Sequence, residues 1–223
     1  MATTLILLTL ELICLFFLSR RVIQTIFNLF YVLFRSRPVG ISVISLIFFP
    51  GTVIHELSHM FVAEILGVRT GHLTLVPESL ESTDIRTGSV AIAQTDPFRR
   101  TLIGLSPLLV GILALTTLSY IHATQFVNNI TVTIIYYYLI FSLSNSMFSS
   151  KEDLRGVWPV LGLFALVGAA AYVAGFRLGL TGQVLTITET MLEATFRSLT
   201  LVLALNLIIL LLFSILIDLI RKF

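Results

Sequence analysis

The chain has 223 residues, of which 57% are hydrophobic and only 12% charged, with a formal net charge of +2. Soluble domains carry about 25% charged and about 45–50% apolar residues, so this chain lacks the charge to cover a water-facing surface. Lipid must be part of its solvent, and a small net charge spread over scattered basic pairs implies no nucleic-acid or strongly acidic partner.

The elements follow in chain order. Thr3–Leu18 has the length of a signal-peptide core, but no basic residue precedes it and Arg20-Arg21 follow it, so a retained first helix is expected. Its single cysteine, Cys14, can form no internal disulfide and is expected as a small buried hydrophobe. Val22–Phe34 either lies in the interface or continues the first helix, and Pro38 is expected to end it. Arg20, Arg21, Arg35 and Arg37 favour a cytoplasmic first connection if Val22–Phe34 does not cross, and sidedness stays open. Gly40–Gly67 is apolar, interrupted by Pro50-Gly51 and by the polar group at residues 55–59.

Residues 68–100 break the membrane pattern with turn formers such as Gly71, Pro77 and Gly88. Within them His72–Val76 and Ser89–Ala93 read as short strands of a hairpin or small sheet. Thr101–Ala123, Ile130–Phe148 and Val157–Phe176 read as spans, the last with the small run Gly168-Ala169-Ala170-Ala171 that permits close helix approach. A polar loop, Ser149–Gly156, separates the second from the third. Leu180–Ser198 reads as amphipathic and Leu199–Ile220 as the last span. Asn129-Ile130-Thr131 has sequon spacing but abuts a span and is discounted. The expected fold is all-α and polytopic, with about six transmembrane helices and a β-hairpin-like insertion at 68–100. It forms one integral-membrane domain over residues 1–223.

The chemistry concentrates in His55-Glu56-Leu57-Ser58-His59. Histidines at i and i+4 lie about 40° apart on a helix, so both imidazoles can reach one metal ion. Glu56 lies about 100° round from His55, where it can take a proton from a water on the metal instead of binding the metal. Chance produces an H-x-x-x-H pair with either acid after the first histidine in roughly 0.4% of chains of this composition, and ionisable groups in apolar segments are costly enough to mark function. The alternative is a pair of buried histidines satisfied by carbonyls, with Glu56 as their partner.

A catalytic zinc takes three protein ligands and one water. Glu64 lies about 180° from His55 and cannot share the ion. His72 and His122 are isolated. Glu189, Glu193 and Arg197 at four-residue steps read as a solvated ion-pair face, and Asp218 sits beside a basic terminus. Glu152 and Asp153, in the polar break after the tyrosine-rich span, are the remaining candidates, because such a break at membrane depth must line protein or a cavity.

Pro50-Gly51-Thr52-Val53-Ile54-His55-Glu56-Leu57-Ser58-His59, followed by Gly67, resembles the zinc-binding helix of the site-2-protease family of intramembrane metalloproteases. Gly104-Leu105-Ser106-Pro107 is similar to a Gly- and Pro-containing run found after that helix in some relatives. Asn145 to Gly156 resembles the family's late Asn…Asp-Gly segment, without its prolines and with Leu154-Arg155 between Asp153 and Gly156. The resemblance implies one zinc ion held by His55, His59 and Asp153, with Glu56 as general base and Asn145 as a substrate-orienting group. The implied substrate is a membrane protein, cleaved in or near a transmembrane segment that must locally unwind. The strands at 72–76 and 89–93 are then candidates for capturing the unwound segment, and Pro50 and Pro107 for kinking helices to admit water. Two further classes stay open, a membrane metallohydrolase of soluble peptides and a non-catalytic transporter or scaffold with a metal site. An intact Glu56 argues against the last. Oligomeric state is not legible.

Overall fold

The structure, a computed structural model, describes residues 2–74, 78–79, 85–86, 89–125, 129–148, 162, 166–170, 173–175 and 181–222. Helix α1 runs without a break over Ala2–Phe34, so Val22–Phe34 continues the first helix. Its buried positions Leu8, Leu15, Val22 and Leu29 recur every seven residues, with Glu11, Ser19 and Ile26 between them. That is the seam of a helix packed lengthwise on a neighbour. Cys14 lies off the seam and is exposed, not buried as expected.

Arg35, at φ 49°, turns the chain through the left-handed region. Pro38 then stands in the first turn of α2, Arg37–Ile65. A proline is harmless there because the first N–H groups of a helix have no internal partner. It therefore opens α2 and does not terminate α1, contrary to expectation. Gly67, at φ 69°, ends α2, and the Val68 N–H returns to the Ala63 carbonyl at 2.8 Å.

Four short strands follow, β1 Thr70–Thr74, β2 Glu78–Ser79, β3 Ile85–Arg86 and β4 Ser89–Ile92. β1 pairs antiparallel with β4, with an irregularity between Thr70 and Leu73, and β2 with β3. The expected hairpin is present with its first strand starting at Thr70, and Leu75 and Val76 lie outside the described residues.

Helix α3, Pro97–Thr124, is capped by Asp96, whose side chain accepts from the Arg99 N–H at 3.0 Å. That bond, with the Arg99 guanidinium beside it, holds the Asp96 carboxyl below the usual carboxylate range. Helix α4, Ile130–Ser146, is capped by Asn129, which accepts from the Thr131 N–H at 2.9 Å. The sequon spacing thus has a local structural use. Helix α5, Gly182–Arg221, is continuous for 40 residues and merges the two segments expected at 180–198 and 199–220. No proline lies within it, and its buried positions Thr195, Leu199, Val202 and Asn206 keep helical spacing across the expected junction. Only short helical stretches, such as 166–170, are described within Val157–Phe176.

Helices α2, α3 and α5 are long and apolar enough to cross a membrane. α5 carries Leu211, Leu212 and Ile215 on its outside, all more than half exposed. An apolar belt of this kind suits lipid and is untenable in water. α4, at 17 residues, is about 26 Å long and shorter than a full span. Its C-terminal part, Ile140–Ser146, is buried on every side, as are Met147 and Phe148 just after it, which makes α4 the central element among α1, α2, α3 and α5.

Gly51 sets how close α2 and α4 come. A Cβ there would overlap the Ser142 carbonyl and the Ser146 hydroxyl, and the Gly51 N–H donates to Ser142 Oγ at 3.0 Å. The preceding residue, Pro50, lacks an N–H and so leaves the Leu46 carbonyl without its helix donor. The Tyr138 hydroxyl of α4 donates to that carbonyl at 3.1 Å.

Candidate metal centre

His55, Glu56 and His59 are all buried on α2, each at most 5% exposed. Gly51, His55 and His59 follow one another at four-residue steps on one side of the helix, so the face that meets α4 at Gly51 continues into the histidines. His59 lies six residues before the end of α2, and Ile103 six residues after the start of α3. The site therefore sits about 9 Å inside the helix ends, on the side of the molecule where the chain enters β1 and leaves β4. Ala63, Val68 and Ile103 pack together there, with Val62 and Leu66 against them.

The two imidazoles have ring centroids 4.9 Å apart and planes at 83°. Nitrogens bound to one zinc at about 2.0–2.1 Å are at most about 4.2 Å apart, a separation that rings this close can present. The Nδ1 of His59 lies 2.8 Å from the Ile103 carbonyl oxygen. A carbonyl only accepts, so Nδ1 carries the hydrogen, and in the neutral ring the lone pair is on Nε2. An imidazole held by its Nδ1–H and offering Nε2 is the arrangement found behind metal-ligating histidines. The Ser106 hydroxyl donates to the same carbonyl at 2.7 Å. These residues fit a metal ion as two nitrogen ligands with a carboxylate alongside.

Among the described residues no third His, Cys, Asp or Glu joins the two histidines in a group able to hold a metal. Asp153 and Glu152, the expected candidates, lie outside the described residues. Glu64 and His72 are exposed. His122 stacks on Tyr136, with centroids 3.9 Å apart, nineteen residues beyond Ile103 on α3 and hence about 28 Å along the helix. The Glu193–Arg197 pair is solvent-facing at 3.6 Å, as its spacing suggests.

Asn145 is buried and reciprocally bonded to Asn206 of α5, by 3.2 Å from its Nδ2 and 2.9 Å to its Oδ1. Its second N–H goes to the Phe141 carbonyl at 2.9 Å. Both amide hydrogens are used, so Asn145 joins α4 to α5. Asn206 does not stand out in the sequence, because a single asparagine in a leucine-rich helix carries no spacing signal. Its one available sign is the cost of an unsatisfied amide at that depth, which obliges it to find a partner. Glu11, which likewise sits in an apolar helix, accepts from the Thr200 hydroxyl at 2.5 Å and ties α1 to α5. Comparison of the chain with protein-family models, curated proteins and solved structures finds no match.

Proposed function

We propose that the chain is a multi-pass intramembrane zinc metalloprotease similar to the site-2-protease family, cleaving a membrane protein in or near a transmembrane segment. The observation that supports it most is the buried His55–Glu56–His59 face, with the His59 ring held through Nδ1 by the Ile103 carbonyl. Zinc held there would lower the pKa of its water toward ~7 and polarise a peptide carbonyl. Glu56 would act as the general base of the site, accepting a proton from the attacking water and passing it to the leaving amine. His55 and His59 are two of the ligands, and Asp153 is the proposed third.

The end of α4 favours Asp153. Ser146 meets α2 at Gly51, one turn from His55, and the helix ends there. Asp153 lies five residues beyond Phe148, a reach of at most about 18 Å. In this reading the expected six crossings surround a site opened near one face. Among the described residues β1 and β4 each pair on one side only, which leaves an edge for an unwound substrate strand. A substrate-orienting role for Asn145 requires its pair with Asn206 to open.

Metal content and cleavage of a membrane-protein substrate together test the proposal. Purified protein should carry stoichiometric zinc. Glu56→Gln should keep the zinc and lose about 10²–10⁴-fold in cleavage rate, and Asp153→Ala should lose the zinc. A metal-free wild type would sink the reading. Zinc retained in full by Asp153→Ala would remove that residue as a ligand.

A further inference from the structure

In an α-helix the carbonyl of residue i accepts from the N–H of residue i+4. The donor due to the Ile103 carbonyl would come from residue 107, which is proline and has none. Ile103 and Ser106 are each 1% exposed, and Pro107 is buried with them. Water is therefore a poor substitute, and an unsatisfied carbonyl at that depth is costly. Two side chains supply the missing donors: the Ser106 hydroxyl from within α3 and His59 Nδ1–H from across the α2–α3 contact. A carbonyl oxygen has two lone pairs, and both are engaged.

We infer that Pro107 is a positioning residue of the metal site. Lacking an N–H, it keeps the Ile103 carbonyl open as a fixed acceptor, and that acceptor sets the tautomer and direction of the His59 ring. Any other residue at 107 would bring an N–H aimed along the helix at the same oxygen. The helix bond would then compete with His59 for that oxygen and weaken the preference for the Nδ1–H tautomer. The metal-affinity consequence rests on the proposed zinc site, whereas the tautomer consequence does not.

The test compares wild type, Pro107→Ala, and a variant in which residue 107 is replaced by lactic acid. The ester of the last lacks both the N–H and the proline ring. In metal-free protein, ¹⁵N shifts of the His59 imidazole should report Nδ1–H in the wild type and in the ester variant, and a tautomer mixture in Pro107→Ala. Zinc affinity, measured by competition with a chelator, should fall about 10–100-fold in Pro107→Ala, the range for loss of a partner behind a ligating histidine, and return in the ester variant. An unchanged His59 tautomer in Pro107→Ala overturns the inference. So does an ester variant as impaired as Pro107→Ala, because the ring and its kink would then be responsible. A wild type with the Nδ1–H tautomer but no zinc binding removes the metalloprotease reading and leaves the role of Pro107 toward His59 standing.

Discussion

Pro50 in α2 and Pro107 in α3 each deprive a carbonyl four residues earlier of its helix donor, and each carbonyl is supplied by a side chain from a neighbouring helix. At Leu46 the donor is the Tyr138 hydroxyl, and the contact lies outward, with Leu46 75% and Tyr138 39% exposed. At Ile103 the donor is an imidazole, and the contact lies in the interior. A phenol that donates its hydrogen has finished its work. An imidazole that donates from Nδ1 still has a lone pair on Nε2, and its direction is now set. The same backbone defect thus makes a helix joint at one place and an orienting device at the other, and the difference lies in the chemistry of the donor.

The strongest way to break this comparison is His59→Ala. Loss of one of two imidazoles should abolish stoichiometric zinc and reduce cleavage to background, while the Ser106 hydroxyl still satisfies the Ile103 carbonyl and limits the damage to the fold. Metal analysis and thermal unfolding in detergent, run together, check it. A variant that keeps its zinc and loses only stability would make the Ile103 contact a joint like the one at Leu46.

Next in size is Gly51→Ala, which acts on the packing beside Pro50. The added methyl would meet the Ser142 carbonyl and the Ser146 hydroxyl. Overpacking of this kind costs about 1–3 kcal/mol, and α2 must back away from α4 to accept it. Unfolding in detergent should show that loss, with zinc affinity falling less than in His59→Ala because the Ile103 tether lies on the α3 side. Equal stability of Gly51→Ala and wild type would show that the two helices are less tightly joined than Gly51 implies.

These features are unevenly legible in the sequence, for physical reasons. The histidine pair and Glu56 stand out because burying ionisable groups at helical spacing in an apolar run is costly unless they share a partner or a task. The strands at 70–74 and 89–92 are visible from alternation and flanking turn formers. Helix boundaries are harder. Arg20-Arg21 and the polar residues near Glu193 resemble membrane borders, yet α1 and α5 run straight through them, because the buried seam of each helix continues across these positions. Pro38 reads as a stop because a proline interrupts a helix almost anywhere except in its first turn. The acceptors behind the side chains are invisible altogether. That Pro107 opens Ile103 is written in a four-residue spacing, but that His59 fills the opening depends on how α2 and α3 meet.

The smallest expected effect is that of Tyr138→Phe, and it tests the comparison from the other side. The substitution removes the donor to the Leu46 carbonyl and keeps the ring, so packing is unchanged. Hydrogen bonds between membrane helices are worth about 0.6 kcal/mol on average, and this contact is exposed. The carbonyl it releases lies on the outer side, where the loosened turn around Pro50 can re-form a partial bond within the helix. A stability loss near that size is expected, with zinc affinity and the His59 tautomer unchanged. Should Tyr138→Phe shift the His59 ring signals instead, the kink at Pro50 would be transmitted along the Gly51–His55–His59 face. The two prolines would then act on one site from both ends.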